Sequence, residues 1–397
     1  MNKKRLSFNI QYAAVQGLYW MGFCCCVGFT LVYMQSRGYS NSLVGLLIAL
    51  GNIAGVILAP VLAAWVDRTG RRGLFLSLAG LLAVQLMFQV LFLFLPGRNI
   101  CVYLCYLLYI ACVNAAGGLV TQLSTELESV CGQINFGAAR GTGSLFYAAA
   151  SALLGRLLEN TGAGVLPYAA GAGITCQLLL LAALAMQLKS APLAASAAES
   201  AADSSSLLAF FKNNVRFCVM MLGVSLLHLS HNLLVSFLIN VVRAVGGSTA
   251  DMGGISGLMA FTELPMLLLY DRIFRRIDPP AAMRIGAVFF VAKALAFALA
   301  ESVGAMYLCD LLEPLSYAVI TIASVRYVNR YIAPRDAAKG QSVAYGVTTL
   351  ASAFAGTLGG LMYDAFPVRT VLLAGTALAA AGAAVCIAFS NPAAKRA

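Results

Sequence analysis

The sequence predicts an all-α membrane protein, with twelve transmembrane helices in two pseudo-symmetric six-helix bundles. Three observations predict it. The 397 residues are 61% hydrophobic and only 10% charged, where a soluble domain carries about 25% charged residues. With a mean hydropathy of +0.85, the chain has too much apolar surface for one water-soluble core. Apolar runs of roughly 20 residues, each enough to cross about 30 Å of hydrocarbon, recur along its whole length. Finally, a loop motif repeats half a chain apart.

Apolar runs, broken by Gly, Pro and charge clusters, place helices at 9–34, 43–66, 73–95, 100–123, 138–158 and 165–187 in the first half. The second half holds 215–241, 253–273, 281–300, 303–325, 338–362 and 370–390. The basic flank "MNKKRLSF" precedes a run too long for a signal peptide and without a clear cleavage site, so it stays as helix one. "DRTGRR" (67–72) separates helices two and three, and "DRIFRR" (271–276) separates eight and nine. These motifs lie 204 positions apart, with Asp and three Arg at matching offsets. A second echo, "AARG" (138–141) and "AAKG" (337–340), opens helices five and eleven. The implied domains are 1–188, an Ala/Ser-rich linker 189–213, and 214–397. Equal orientation of the two bundles puts a pseudo-twofold axis along the membrane normal.

Charge supplies the orientation. With the amino terminus inside, predicted cytoplasmic segments hold 20 of the 26 Lys and Arg, which fits the positive-inside rule with both termini cytoplasmic, as expected in a cell inner membrane. The net charge of +11 lies in short clusters between apolar runs and not along one polar face, so no nucleic-acid partner is expected. The eleven cysteines include "CCC" at 24–26, but no CxxC occurs and the count is odd, so they read as packing residues. No cofactor or metal is expected, and the chain is expected to act as a monomer.

Ionisable groups inside a bilayer are costly and mark substrate or proton paths. Candidates are His228 and His231 in helix seven, Glu263 in helix eight, Lys293 in helix nine, Asp310 and Glu313 in helix ten, and Tyr345 in helix eleven. Three carboxylates against one lysine leave about two surplus negative charges, so one or two protons are expected to reside there, or a histidine carries charge. Asp310, Glu313, Tyr317, Thr321 and Ser324 form one polar stripe at helical spacing, as do Ser225, His228, Asn232 and Ser236. His228 is therefore expected to face a cavity, with His231 at the edge. In the first bundle Tyr12, Gln16 and Tyr19 make a stripe on helix one, and Asn114 lies in helix four.

"WVDRTGRR" resembles the signature of the major facilitator superfamily between helices two and three, with Ala63 in place of the usual Gly. "NFGAARGTGSLFY" (135–147), "TELP" (262–265) and "DAAKGQSVAYG" (336–346) resemble the branch of lactose permease and related proton symporters for oligosaccharides, nucleosides and phenylpropionate. The resemblance implies alternating access about a site near the bilayer midplane. It also implies roles for particular residues. Arg140 falls where that branch has an arginine bonding sugar hydroxyls, and Tyr147 where a tryptophan stacks on the sugar. The acid expected eighteen residues before the arginine is Gln122 here, so Arg140 could instead take a substrate carboxylate or phosphate, or pair with Glu126 or Glu128. Lys293 matches an intramembrane arginine, Glu313 the histidine of the proton site, and Glu263 an acid one turn away.

The expected function is a proton-coupled secondary symporter importing a small polar solute, with Arg140, Tyr147, Gln122, Tyr19, Asn114 and Glu263 binding substrate. Glu313, Asp310, His228, Lys293 and Glu263 are expected to couple protons. Asp67, Arg68, Gly70, Arg71, Asp271, Arg272 and Arg275 are assigned to gating. The alternative is a proton-coupled efflux antiporter for drugs or metabolites. An enzyme is not expected: there is no H-E-x-x-H and no GxxxxGK[ST].

Overall fold

The computed structural model describes residues 3–95, 97–188 and 206–391, and not the side chains of Lys3, Lys4, Leu207, Leu267 and Asp271. Most of the predicted linker, 189–205, lies outside the described residues. Among those described, the chain is helical with no strand, and its helices are compatible with the twelve expected segments.

Local chemistry sets the boundaries. The first segment is α1 (Lys3–Phe23), a π-helical turn (Cys24–Gly28) and α2 (Thr30–Ser36), bent by 44°. There the Phe29 amide reaches back five residues to the Cys24 carbonyl, at 3.2 Å. The second and third segments run together as α3 (Asn41–Phe94), two helices that meet at a kink at Gly70 with φ 62° and ψ −148°. Positive φ without a steric penalty is glycine's property. At 1.5 Å per residue α3 is about 80 Å long, enough for two crossings. α4 (Ile100–Cys131) and α5 (Phe136–Thr161) start at side-chain caps, Asn99 accepting from the Cys101 amide at 2.8 Å and Asn135 from the Ala138 amide at 3.0 Å. Both end at glycines with positive φ, Gly132 and Gly162. α6 (Leu166–Leu188) closes the first half.

After α7 (Leu207–Asn213), which Ser206 caps, the second half runs through α8 (Val215–Val235) and α9 (Leu238–Ala244). α10 (Thr249–Ile273), α11 (Pro279–Leu299) and α12 (Val303–Asp310) follow. A π-helical turn (Pro314–Ala318) leads to α13 (Val319–Tyr331), and α14 (Ala337–Ala365) and α15 (Val368–Phe389) complete the chain. Among the described residues, eight helices are individually long and apolar enough to cross a bilayer, and the bent first pair, taken as one span, makes a ninth.

Two compact units result: Met1–Ala197 with Ser248–Phe261, and Ala198–Gly247 with Thr262–Ala397. The first takes in the start of α10, a stretch the sequence puts in the second bundle. Glycine explains that contact. A Cβ on Gly155 of α5 would stand 2.8 Å from the Thr249 carbonyl and 2.9 Å from Gly253 Cα, so backbone meets backbone. The Thr249 amide also donates to the Glu159 carboxylate at 2.9 Å. The core of the second unit is apolar, with Met220, Leu227, Met283, Phe290, Val319 and Ala323 buried together.

Candidate functional site

Helix ten breaks where its charge sits. Pro314 has no N–H to offer the Asp310 carbonyl, and its ring crowds that carbonyl, so α12 ends at Asp310 and the π turn begins at Pro314. The Leu311 and Leu312 amides turn back to the Leu308 and Cys309 carbonyls at 3.2 and 3.1 Å. Asp310 and Glu313 flank this irregular stretch, 0% and 1% exposed.

Lys293 of α11, 2% exposed, forms an ion pair and hydrogen bond with Glu313 Oε2. It also donates to His231 Nδ1 at 3.3 Å. His231 Nε2 faces Glu313 Oε1 at 3.9 Å. Because Nδ1 accepts from the ammonium, the imidazole proton sits on Nε2, toward the carboxylate. Lys293 also feels the charges of Asp310 and of half-buried Glu263 on α10. Among the described residues, neither carboxyl oxygen of Asp310 has a hydrogen-bond partner. A cavity of about 20 Å³, wide enough for one water, is lined by Ser230, His231, Lys293 and Phe297.

The two histidines are placed differently from each other, with His231 in the hydrogen bond between helices that the sequence allowed for it. His231, and not His228, stands against the Lys293–Glu313 pair. His228 Nδ1 donates to the Val224 carbonyl at 2.9 Å, one helical turn back, and its ring lies 5.7 Å from Phe290 and 5.6 Å from Tyr317. The Tyr317 ring stacks on His231 at 4.9 Å. Constant-period counting put His231 at the stripe's edge, whereas the lysine approaches from α11 and meets that edge. Tyr345 stands apart from the cluster, 71% exposed.

In the first unit the expected binding residues have different neighbours. Arg140 lies over the Trp20 ring, 3.9 Å from its centroid, and donates to Ser144 Oγ at 2.9 Å. Glu126 is paired with Arg71, and Glu128 accepts from the Ile134 amide at 3.1 Å. Trp20 is thus the aromatic surface under Arg140, a residue the sequence reading did not single out. Tyr147 places its hydroxyl 3.3 Å from Ser256 Oγ. The signal for Trp20 was available, since Tyr12, Gln16 and Trp20 share i, i+4 spacing. Its Nε1 is buried without a hydrogen-bond partner among the described residues. Tyr19 meets Trp20 edge-on at 5.5 Å and donates to the Val113 carbonyl at 3.2 Å. Asn114 donates to Asn52 at 2.9 Å, tying α4 to α3. Gln122 is half-buried on α4.

Of the loop residues, Arg71 clasps helix ends, pairing with Glu126 and donating to the Leu188 carbonyl at 2.9 Å. Gly70 makes the turn, and Asp67 and Arg68 are exposed beside it. Arg272 and Arg275 are exposed as well, and the Asp271 side chain lies outside the description.

Buried charge inside membrane-spanning helices marks a substrate or ion path. The MFS_1 like family matches residues 10–374, and the chain belongs to that family of major facilitator transporters. Its fold is similar to that of nucleoside transporter NupG. One NupG structure, of a mutant, has a TM-score of 0.78 at 15% identity, covering 96% of this chain and 99% of that one. A second NupG structure gives 0.74 at 17% identity, covering 98% and 99%. A bacterial homolog of the human lysosomal transporter Spinster, inward-facing and unoccupied, gives 0.70 at 13% identity, covering 98% of each. At such identities the likeness shows the fold. No curated protein matches the sequence.

Proposed function

We propose that this transporter is a proton-coupled symporter importing a small polar solute, of the saccharide, nucleoside or aromatic-acid class, by alternating access. The observation that carries the reading is Asp310, a carboxyl with no exposure and no hydrogen-bond partner among the described residues, beside the engaged trio Lys293, Glu313 and His231. A carboxylate buried without a partner is stable only as the neutral acid. In this state Asp310 holds the proton and Glu313 holds the lysine. When Lys293 swings to Asp310, the Asp310 proton leaves and Glu313 must take one up. Proton binding and lysine position are thereby linked, and His231 Nε2 offers Glu313 a route for the exchange. In the other unit, Arg140 on the Trp20 face presents guanidinium donors for paired hydroxyls or a carboxylate. Similarity to a nucleoside transporter supports the solute class. Charge bias supports a cytoplasmic location for both termini in a cell inner membrane, with the "DRTGRR" and "DRIFRR" loops gating the inner face. Asp67→Ala is expected to slow uptake while membrane insertion stays intact.

The test is lumenal pH in proteoliposomes as nucleosides, saccharides and aromatic acids are added in turn, with Glu313→Gln in parallel. Solute-driven proton entry that is lost in the variant supports symport. No pH change with any solute, while drug-like cations drive protons outward, overturns it in favour of the antiporter.

A further inference from the structure

Two cavities of the second unit share a wall. The inner one, of about 20 Å³, lies against the charged cluster, between Ser230 and His231 of α8 and Lys293 of α11. The other, a vestibule of about 250 Å³, lies where α9 and α11 end and α15 begins. Val245, Ala298 and Val368 line it, together with Ala244, Glu301 and Arg369, which are exposed. α11 starts just after the "DRIFRR" loop and ends here, 21 residues or about 30 Å further on, so the vestibule opens at the opposite end of the unit.

Phe297 and Leu372 line both cavities. On α11 Phe297 follows Lys293 by four residues, and on α15 Leu372 and Gly375 follow Val368 by four and seven. Each helix therefore carries one face from the vestibule to the inner cavity. Phe297 is 1% exposed and Leu372 7%, and two apolar side chains at such a constriction pass water only when they part. The Phe297 ring lies 5.9 Å from Lys293 Nζ, so this plug and the buried charge are adjacent. Beyond the plug, Gly375 adds no side chain: a Cβ there would stand 3.5 Å from Ser230 Oγ, against the polar wall of the inner cavity. Ser230, His231 and Lys293 give that cavity polar side chains on one side, and a buried water takes about two to four such partners.

We propose that protons reach the buried cluster by this route, from the vestibule past Phe297 and Leu372 to a water in the inner cavity, and from that water to His231. The route presupposes the proton-coupled symport proposed above and adds the side from which the proton comes, along a path built from the second unit alone. The groups that share the arriving charge are His231, Lys293 and Glu313, with Asp310 and Glu263 acting on the lysine and His228 on His231. While Lys293 donates to His231 Nδ1, that nitrogen cannot take a proton. When Lys293 moves to Asp310, Nδ1 is released beside the water. A hydrated proton then passes from the water to Nδ1 as Nε2 gives its own to Glu313. The imidazole stays neutral, and Glu313 is left neutral without the lysine.

Infrared spectroscopy of the full-length protein in lipid tests this with no solute present. The carbonyl stretch of a protonated carboxyl moves to lower wavenumber when deuterium replaces its proton. The Asp310 band, identified as the one lost in Asp310→Asn, therefore times proton access after a switch from water to heavy water. Ala244→Trp and, separately, Val368→Trp fill the vestibule from two helices, so a folding defect in one leaves the other to decide. Each should slow the shift roughly tenfold or more by drying the route. Phe297→Ala thins the plug and should speed the shift. Leu373→Trp, exposed on α15 outside the vestibule, should change nothing. Exchange at the parental rate in both vestibule variants overturns the route and leaves the protonated Asp310, and symport with it, standing. Equal slowing by Leu373→Trp also overturns the route, since bulk anywhere on the helix would then suffice. A parent without an Asp310 band overturns the protonated acid itself, and the route falls with it.

Discussion

Removing Lys293 and removing Glu313 should have unequal effects on stability, and the sign of the inequality follows from their neighbours. Lys293→Met leaves Glu313 buried, with His231 at 3.9 Å as its one basic neighbour among the described residues, and removes the lysine charge that Asp310 and Glu263 feel. Breaking a buried pair from one side costs about 3–5 kcal/mol. For a cooperative unit of this size that lowers the melting midpoint by roughly 10 °C. Glu313→Leu removes a carboxylate whose lysine still has Asp310 and Glu263 within electrostatic reach. Lys293 can re-pair, so the loss should be about half as large or less. The double variant, apolar at both positions, should recover most of the stability. Thermal melting of the four purified proteins in one detergent measures this directly. If Glu313→Leu melts as low as Lys293→Met, Asp310 and Glu263 do not serve as alternative partners, and the lysine exchange fails with them.

Other outcomes follow from the same geometry. Asp310→Asn loses no hydrogen bond and should stay within about 1 kcal/mol of the parent, while solute-driven proton entry disappears and solute counterflow persists. A stability loss above about 3 kcal/mol would mean that Asp310 is ionised and paired. His231→Gln should lower proton-driven uptake by roughly tenfold or more, the worth of a charge-assisted hydrogen bond. His228→Gln should lower uptake by less than about threefold, since its Nδ1 serves a backbone carbonyl. The reverse order in a radiolabelled-solute assay would restore His228 to the proton path. Arg140→Gln should abolish saturable uptake. Trp20→Leu should weaken solute affinity by up to about 30-fold through loss of the stacked guanidinium, and an unchanged KM would remove Trp20 from the site.

The fold was legible because a bilayer enforces helices, and apolar runs of crossing length then mark each one. The intramembrane ionisable residues were equally visible, since burial cost makes each of them conspicuous. Which side chain meets which was less so. The polar stripe from Asp310 to Ser324 assumes 3.6 residues per turn, but the π turn at Pro314–Ala318 changes the phase midway. Beyond it, Thr321 is exposed while Ser324 is buried. His231 was undervalued because its partner comes from another helix, and periodicity within one helix is blind to that. Trp20 went unnoticed because nothing within helix one shows that Arg140 of another helix lies over its ring. Glycine contacts between Gly155 and Gly253 draw the start of α10 to α5, and a count of hydrophobic runs holds no trace of them.

The π turn also sets how this stretch of chain tolerates changes of length. Elsewhere in a membrane helix, deleting one residue turns everything on one side by about 100° and shortens the span by about 1.5 Å, which scrambles a packed face. Between Pro314 and Ala318 one residue is already surplus to an ordinary turn. A deletion there can be absorbed by regularising the coil. The helix would survive such a deletion, with Asp310 and Glu313 rotated about its axis relative to α13. Transport could then be lost by a change that leaves the bundle standing. Insertions and deletions in this segment are a means of retuning the carrier without dismantling it.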